Sequence, residues 1–221
     1  MDAGINLVDI TRRLRARGGL ESSGVTVLMR YTLRLLTIQQ FQRAASLIMA
    51  CETIRRGSHG ALGDEPISLG LWMGGGSTPN TRKEANAALR LLGRGETVAE
   101  GNPVQISACP WCGADLDSGN YQVSDHLHIR CPNRGCDFHR DLPLYLVDED
   151  IYDLRPSLLL GTVDKFARLP WSEESASLFG RRGQRVPPPE LIIQDELHLI
   201  SGPLGTLVGL YKAAVDRLCT E

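Results

Sequence analysis

The stretch Leu191-Ile192-Ile193-Gln194-Asp195-Glu196-Leu197-His198 constrains this chain more than any other. Three large aliphatic side chains run straight into two adjacent carboxylates, with an imidazole two positions after the second. An unbroken apolar run of this length fits a strand buried on both faces, as in a parallel sheet, rather than the alternating pattern of a half-solvated strand. Parallel sheets bind ligands beyond the carboxyl ends of their strands, so Asp195 and Glu196 emerge where a ligand would sit. Neighbouring carboxylates in a buried place need a cation or several donors to compensate their charge. A nucleotide-bound Mg²⁺ meets that need, because hard cations prefer carboxylate oxygen. Without a ligand, the same residues are a strand that ends in a solvated acidic turn.

Other segments repeat the same grammar. Strands are expected near 25–29, 67–73 and 158–161, each apolar and each followed by polar residues. After the first come Arg30, Thr32 and Arg34, and then a helical pattern from about Thr37 to Arg56 with Ile38, Phe41, Ala44, Ala45, Ile48 and Met49 on one face. A helix start preceded by hydroxyl and guanidinium donors suits a phosphate backbone. The plainer alternative is an ordinary βα unit with Arg30 and Arg34 in surface ion pairs. Gly161-Thr162-Val163-Asp164-Lys165-Phe166 again runs from strand through polar turn into helix. Ile67–Met73 leads into Gly74-Gly75-Gly76-Ser77-Thr78-Pro79-Asn80, which lacks the Lys-Ser or Lys-Thr that closes a phosphate-binding loop. It is expected to be a flexible loop near the nucleotide or nucleic-acid face. Helices are expected over residues 1–24 (Leu7, Ile10, Leu14), Thr81–Leu92 and Thr206–Leu218.

Between these core segments the composition changes. Cys109-Pro110-Trp111-Cys112 and Cys131-Pro132-Asn133-Arg134-Gly135-Cys136 form two pairs, separated by a long spacer from Gly113 to Arg130. Tetrahedral Zn²⁺ takes four soft ligands, and two tight turns deliver two thiolates each. The spacing predicts a structural Zn²⁺ on Cys109, Cys112, Cys131 and Cys136. A redox dithiol at Cys109 and Cys112 would leave the second pair unexplained. His126, His128 and His139 lie near enough in sequence to be substitute ligands, although a surface or supporting role suits each better. Leu142–Val147 is expected to close the insertion. Cys51 and Cys219 read as core.

The 221 residues allow one large domain, or one domain plus an insertion. The division expected is a core from 1 to 102, a zinc-ribbon insertion from 103 to 147, and the rest of the core from 148 to 221. A net charge of −2 gives no global argument for nucleic acid. From Met1 to Gly60 the chain does carry nine Arg against four acidic side chains, which permits phosphate contact but equally fits a solvated helix face. No stretch reaches the roughly 18 apolar residues of a membrane helix, and no secretory signal opens the chain. Paired cysteines in metal spacing fit a reducing cytoplasm.

The Asp195-Glu196-Leu197-His198 box resembles motif II of superfamily 2 helicases. Arg30–Gln40 resembles their motif Ia, and Gly161–Phe166 resembles the element whose Thr touches the phosphate backbone. Taken with the Cys insertion, the set resembles the helicase-like component of bacterial DISARM anti-phage systems, over about residues 25–215. The resemblance implies an α/β fold, a RecA-like three-layer core of the P-loop NTPase kind, incomplete here and carrying an inserted zinc ribbon. It implies an ATP-dependent helicase or translocase, with Asp195 on Mg²⁺, Glu196 activating water and His198 coupling the nucleotide site to nucleic acid. Arg30, Thr32, Arg34, Thr162 and Lys165 would contact DNA, or RNA, and other defence subunits would be partners. Two departures limit it: there is no Walker A Lys, and no second RecA-like domain follows. The chain therefore reads as the middle of a larger helicase, inactive alone. The competing readings are a zinc-ribbon nucleic-acid-binding module without hydrolase chemistry and a protein-interaction subunit docking through its ribbon.

Overall fold

The computed structural model describes residues 24–31, 34–168, 172–180, 187–195, 213 and 215–219. The helix expected over 1–24 lies outside them. Among the described residues, seven strands run in chain order: β1 (Val27–Tyr31), β2 (Leu69–Trp72), β3 (Tyr121–Val123), β4 (Leu127–Ile129), β5 (Leu144–Tyr145), β6 (Leu158–Thr162) and β7 (Leu191–Gln194). Strands β3 and β4 form a separate hairpin, and the other five form one sheet in the spatial order β5-β2-β6-β1-β7. All four pairings in that sheet are parallel, as continuous apolar runs require. The four strands anticipated from sequence are all present. The fifth, β5, falls in the segment expected to close the Cys insertion, and instead pairs with Leu69 and Gly70 at the sheet edge.

Alternate strand residues feed two apolar layers. On one face Val27, Met29, Leu69, Leu71, Leu158 and Leu160 pack with Phe41, Ala45, Ile48 and Met49 of the long helix α1 (Arg34–Gly57). On the other, Leu28, Trp72 and Leu159 pack with Ile151 of α3 (Asp148–Leu154), Phe166 of α4 (Val163–Arg168), Phe179 and Val215. The arrangement is α/β, with helices on both faces of a parallel sheet. At Gly161 the rings of Trp72 and Phe166 lie 5.8 Å apart, and a Cβ there would come within 3.1 Å of the Phe166 ring.

Helix α2 (Arg82–Leu92) starts with a reciprocal cap, in which the Thr81 hydroxyl accepts from the Glu84 backbone N–H and the Glu84 carboxylate accepts from that of Thr81. The Gly-rich loop before it is not free: the carbonyls of Pro79 and Asn80 accept from the backbone N–H groups of Asp148 and Glu149. Those are donors that the start of α3 would otherwise leave unpaired. The end of the loop is thereby joined to α3, and within it the Ser77 N–H donates to the Gly74 carbonyl at 2.7 Å and the Thr78 hydroxyl to the Met73 carbonyl at 3.3 Å.

One buried carboxylate organises the far end of α1. Glu52, 1% exposed, accepts from Arg55 Nε at 2.7 Å, Arg56 Nε at 2.8 Å and the Ile67 backbone N–H at 2.8 Å. Burial alone would raise its pKa, but these donors outweigh burial and hold it below the ordinary 4.5. A carboxyl depressed in the folded state adds stability that is present above the unfolded value and lost as pH falls. Thermal unfolding followed below pH 4.5 should therefore weaken more steeply for the wild type than for Glu52→Gln. Parallel curves would remove Glu52 from the acid transition.

Candidate metal centre and strand-end cluster

The Cys insertion is a pair of short turns beside the antiparallel hairpin of β3 with β4. In the first turn the Gly113 N–H donates to the Cys109 carbonyl at 2.9 Å, and Gly113 sits at φ +76°, where a side chain would be strained. In the second, the Gly135 N–H donates to the Asn133 side chain at 3.0 Å and the Cys136 N–H to the Asn133 carbonyl at 3.0 Å. The two turns face each other. Cys109 and Cys136 sulfurs are 4.0 Å apart, Cys112 and Cys131 sulfurs 3.4 Å apart, and all four lie within 4.8 Å of one another.

No disulfide joins them. A tetrahedron with metal–sulfur bonds of about 2.3 Å has sulfurs about 3.8 Å apart, so the observed spacings suit a metal ion. The Ala114 backbone N–H is the main influence drawing the exposed Cys112 thiol down to about 7, while burial pushes Cys131 and Cys136 up. Buried thiolates without a cation are unfavourable, and a metal ion supplies the missing charge. The His139 backbone N–H donates to the Cys136 carbonyl, and none of the three nearby imidazoles joins the sulfur cluster.

The centre is fused to the main core. Ile106, Tyr121, Leu127, Ile129 and Phe138 belong to the same apolar cluster as β1 and β2. The Ser46 hydroxyl on α1 donates to the Pro110 carbonyl at 3.0 Å, and the Arg56 guanidinium lies 4.7 Å over the Phe138 ring. Buried Asp150 accepts from Arg82 Nε at 2.6 Å and from the Leu127 backbone N–H at 2.9 Å, tying α2, α3 and β4 together.

The second candidate site lies at the carboxyl ends of three adjacent strands. Parallel register sets Arg30 between Gly161 and Gln194, and Tyr31 beside Thr162. Asp195 follows β7, its side chain exposed, and its backbone N–H donates to the Arg30 carbonyl at 3.0 Å. The strand ends that carry Arg30, Thr162 and Asp195, far apart in sequence, are thus neighbours, with Thr162 and Asp195 on one face of the sheet and Arg30 on the other. Glu196, His198 and Thr32 lie outside the described residues, as does the side chain of Arg34.

Burial is what the sequence did not disclose. Arg30 is 2% exposed and Thr162 1%. Among the described residues, Arg30 Nε and Nη2 and Thr162 Oγ1 find no hydrogen-bond partner. Burial pulls the Arg30 pKa down. Lys165 is also buried, and its ammonium is held by Asp148 and, at 3.2 Å, by Asn80 Oδ1. It faces a cleft of about 750 Å³ lined by Trp72, Asn80, Asp148, Tyr152 and Glu174. Sequence reasoning missed Asp148 and Asn80 as partners of Lys165. The acidic run Asp148-Glu149-Asp150 was the available signal, but nothing local says which cation it meets.

An ion pair this deep is costly to break. Lys165→Met should destabilise the chain by about 3 kcal/mol, because Asp148 loses its cation inside the protein. Unchanged chemical denaturation would show that Lys165 is not structural.

The class defined here is an α/β fold with a parallel sheet and a cluster of four cysteines that could hold a metal ion. No protein-family model matches the chain. It is similar to the DISARM protein DrmA of Bacillus paralicheniformis, with 39% identity over 236 aligned positions, gaps included, that take in 89% of this chain. They take in 21% of that protein, so the chain spans about a fifth of the length of the curated relative it matches. Among the described residues, no helix is long and apolar enough to cross a membrane.

Proposed function

We propose that this chain is the motif Ia to motif II part of a DISARM-type anti-phage protein that couples ATP hydrolysis to movement on DNA. The observation that carries the reading is the alignment of the carboxyl ends of β1, β6 and β7, where Thr162 and Asp195 share one face of the sheet and the Asp195 backbone N–H donates to the Arg30 carbonyl. Ligands of open parallel sheets sit there. The buried Thr162 hydroxyl, without a partner among the described residues, is a group that a ligand on the Asp195 face would satisfy. The likeness to DrmA supports the defence context.

In this reading the sheet is a RecA-like core, and 103–147 is a zinc ribbon holding Zn²⁺ on Cys109, Cys112, Cys131 and Cys136. Asp195 would hold the Mg²⁺ of ATP, Glu196 would deprotonate the attacking water and His198 would couple that site to DNA. Arg30, Thr32, Arg34 and Thr162 would line the DNA path. For Lys165 the Asp148 ion pair favours supporting the path over touching DNA. ATP supplies the free energy, and these side chains orient and exchange protons around it. Other DISARM-type subunits are partners in the same reading, which places the protein in the cytoplasm.

The test is ATP hydrolysis by a full-length protein that carries this segment, with and without DNA. DNA-stimulated hydrolysis is expected. In the same protein Arg34→Ala should weaken binding and flatten its salt dependence, because a lost phosphate contact reduces counterion release. An intact, DNA-binding protein with no hydrolysis under any condition would favour the binding-module reading.

A further inference from the structure

The turn between β3 and β4 carries Asp125 and His126, β4 itself carries His128, and Asp141 approaches them from the far end of the insertion. The two imidazoles stack with centroids 3.8 Å apart, and His126 also meets the Tyr145 ring edge-on at 6.0 Å. Both nitrogens of both rings face a carboxylate oxygen. At one end His126 Nδ1 is 3.0 Å from Asp125 Oδ2, and His128 Nε2 is 2.9 Å from Asp125 Oδ1. At the other, His126 Nε2 and His128 Nδ1 lie 3.4 and 2.9 Å from the same atom, Asp141 Oδ2. Asp141 Oδ1 accepts the Ile129 backbone N–H at 3.1 Å, which fixes that carboxylate.

A neutral imidazole has one N–H and one lone pair. The ends of this cluster differ in how they can use them. If both rings donate to Asp141, the lone pairs of His126 Nδ1 and His128 Nε2 point at Asp125, lone pair against anion. Protonating both rings removes that clash but presses two cations against each other. Protonating one ring relieves part of the clash, and a metal ion at the Asp125 end relieves it for both rings without setting two cations together.

We propose that Asp125, His126 Nδ1 and His128 Nε2 form a second metal site, for a divalent transition ion such as Zn²⁺, separate from the four cysteines. Bonds of about 2.0–2.1 Å at tetrahedral to octahedral angles separate ligand atoms by about 2.9–3.4 Å, and the two imidazole nitrogens lie 3.0 and 2.9 Å from the two oxygens of the Asp125 carboxylate. All three ligand atoms lie within 4.8 Å of one another. Asp141 supplies the outer carboxylate that fixes the tautomer and orientation of metal-bound histidines. Two imidazoles select a transition ion over Mg²⁺. Asp125 is 76% exposed, so the remaining coordination positions open to solvent. The proposal is independent of the nucleotide chemistry above.

The experiment uses the full chain with Zn²⁺ already on its cysteines, titrated with further Zn²⁺ by calorimetry and with Co²⁺ by absorbance. One additional equivalent should bind, and the Co²⁺ spectrum should show no thiolate charge-transfer band. Asp125→Asn and His128→Gln should each weaken this step at least tenfold. Asp141→Asn should weaken it about 10–100-fold through ligand orientation, and excess Mg²⁺ should not compete. Asp125 is exposed, so Asp125→Asn decides the matter if a histidine variant fails to fold. No second equivalent, a second equivalent unchanged in Asp125→Asn, or equal competition by Mg²⁺ would overturn the site.

Discussion

Replacing Glu196 by Gln in a full-length protein that carries this segment should lower ATP turnover by about 10²–10⁴-fold while ATP still binds. A positioned general base is typically worth that much. Glutamine keeps the length and hydrogen bonding of the side chain and removes only its capacity to take a proton. Asp195→Asn should act differently, weakening Mg²⁺-dependent nucleotide binding, because it removes charge where a hard cation would sit. His198→Ala should reduce stimulation by DNA more than basal hydrolysis. Single-turnover kinetics with a nucleotide-binding assay would separate the three. The placement of Asp195 at the end of β7, hydrogen-bonded through its backbone to Arg30, is the structural basis of the expectation. Equal loss of binding and turnover in Glu196→Gln would assign it to folding. ATP hydrolysis by the present chain alone would show that another phosphate site completes the centre.

The strands and the cysteine cluster are legible in the sequence because both signals are local. Leu158–Leu160 and Leu191–Ile193 are apolar without alternation, and only a two-sided parallel sheet absorbs that. The cysteines carry their own geometry in the turns that hold them. What escapes the sequence depends on contacts distant along the chain. Arg30 and Lys165 look like solvent-seeking cations, yet packing across β1 and β6 buries Arg30, and Asp148 holds Lys165 inside. The loop at 74–80 looks free because its carbonyl partners belong to α3, far along the chain beyond the whole cysteine insertion. Leu144 and Tyr145 read as part of the ribbon because a pair of residues is too short to carry a periodicity, and only the edge of β2 shows where they pair.

The second large effect concerns the metal ion proposed for Cys109, Cys112, Cys131 and Cys136. Protein purified without added zinc should retain about one tightly held Zn²⁺ at this centre, and Cys112→Ser or a strong chelator should unfold far more than the two turns. Structural Zn²⁺ in small modules contributes about 10–16 kcal/mol of apparent binding free energy, comparable to or larger than the whole stability of a typical domain. Here the loss would propagate. Ile106, Tyr121, Leu127, Ile129 and Phe138 share one apolar cluster with β1, β2 and α1, so releasing the turns opens the face of the sheet that α1 covers. Asp150 adds a polar route, since losing the hairpin removes the Leu127 N–H that it accepts and loosens its hold on Arg82. Circular dichroism should then report lost helix as well as lost turns, and all four thiols should become reactive, followed by Cys51, whose burial now holds its pKa up at about 11. Loss of zinc with an unchanged helical signal and an unreactive Cys51 would mean that the core stands without its metal centre. Protein that carries no metal from the start, with the four thiols freely titratable, would exclude the centre itself.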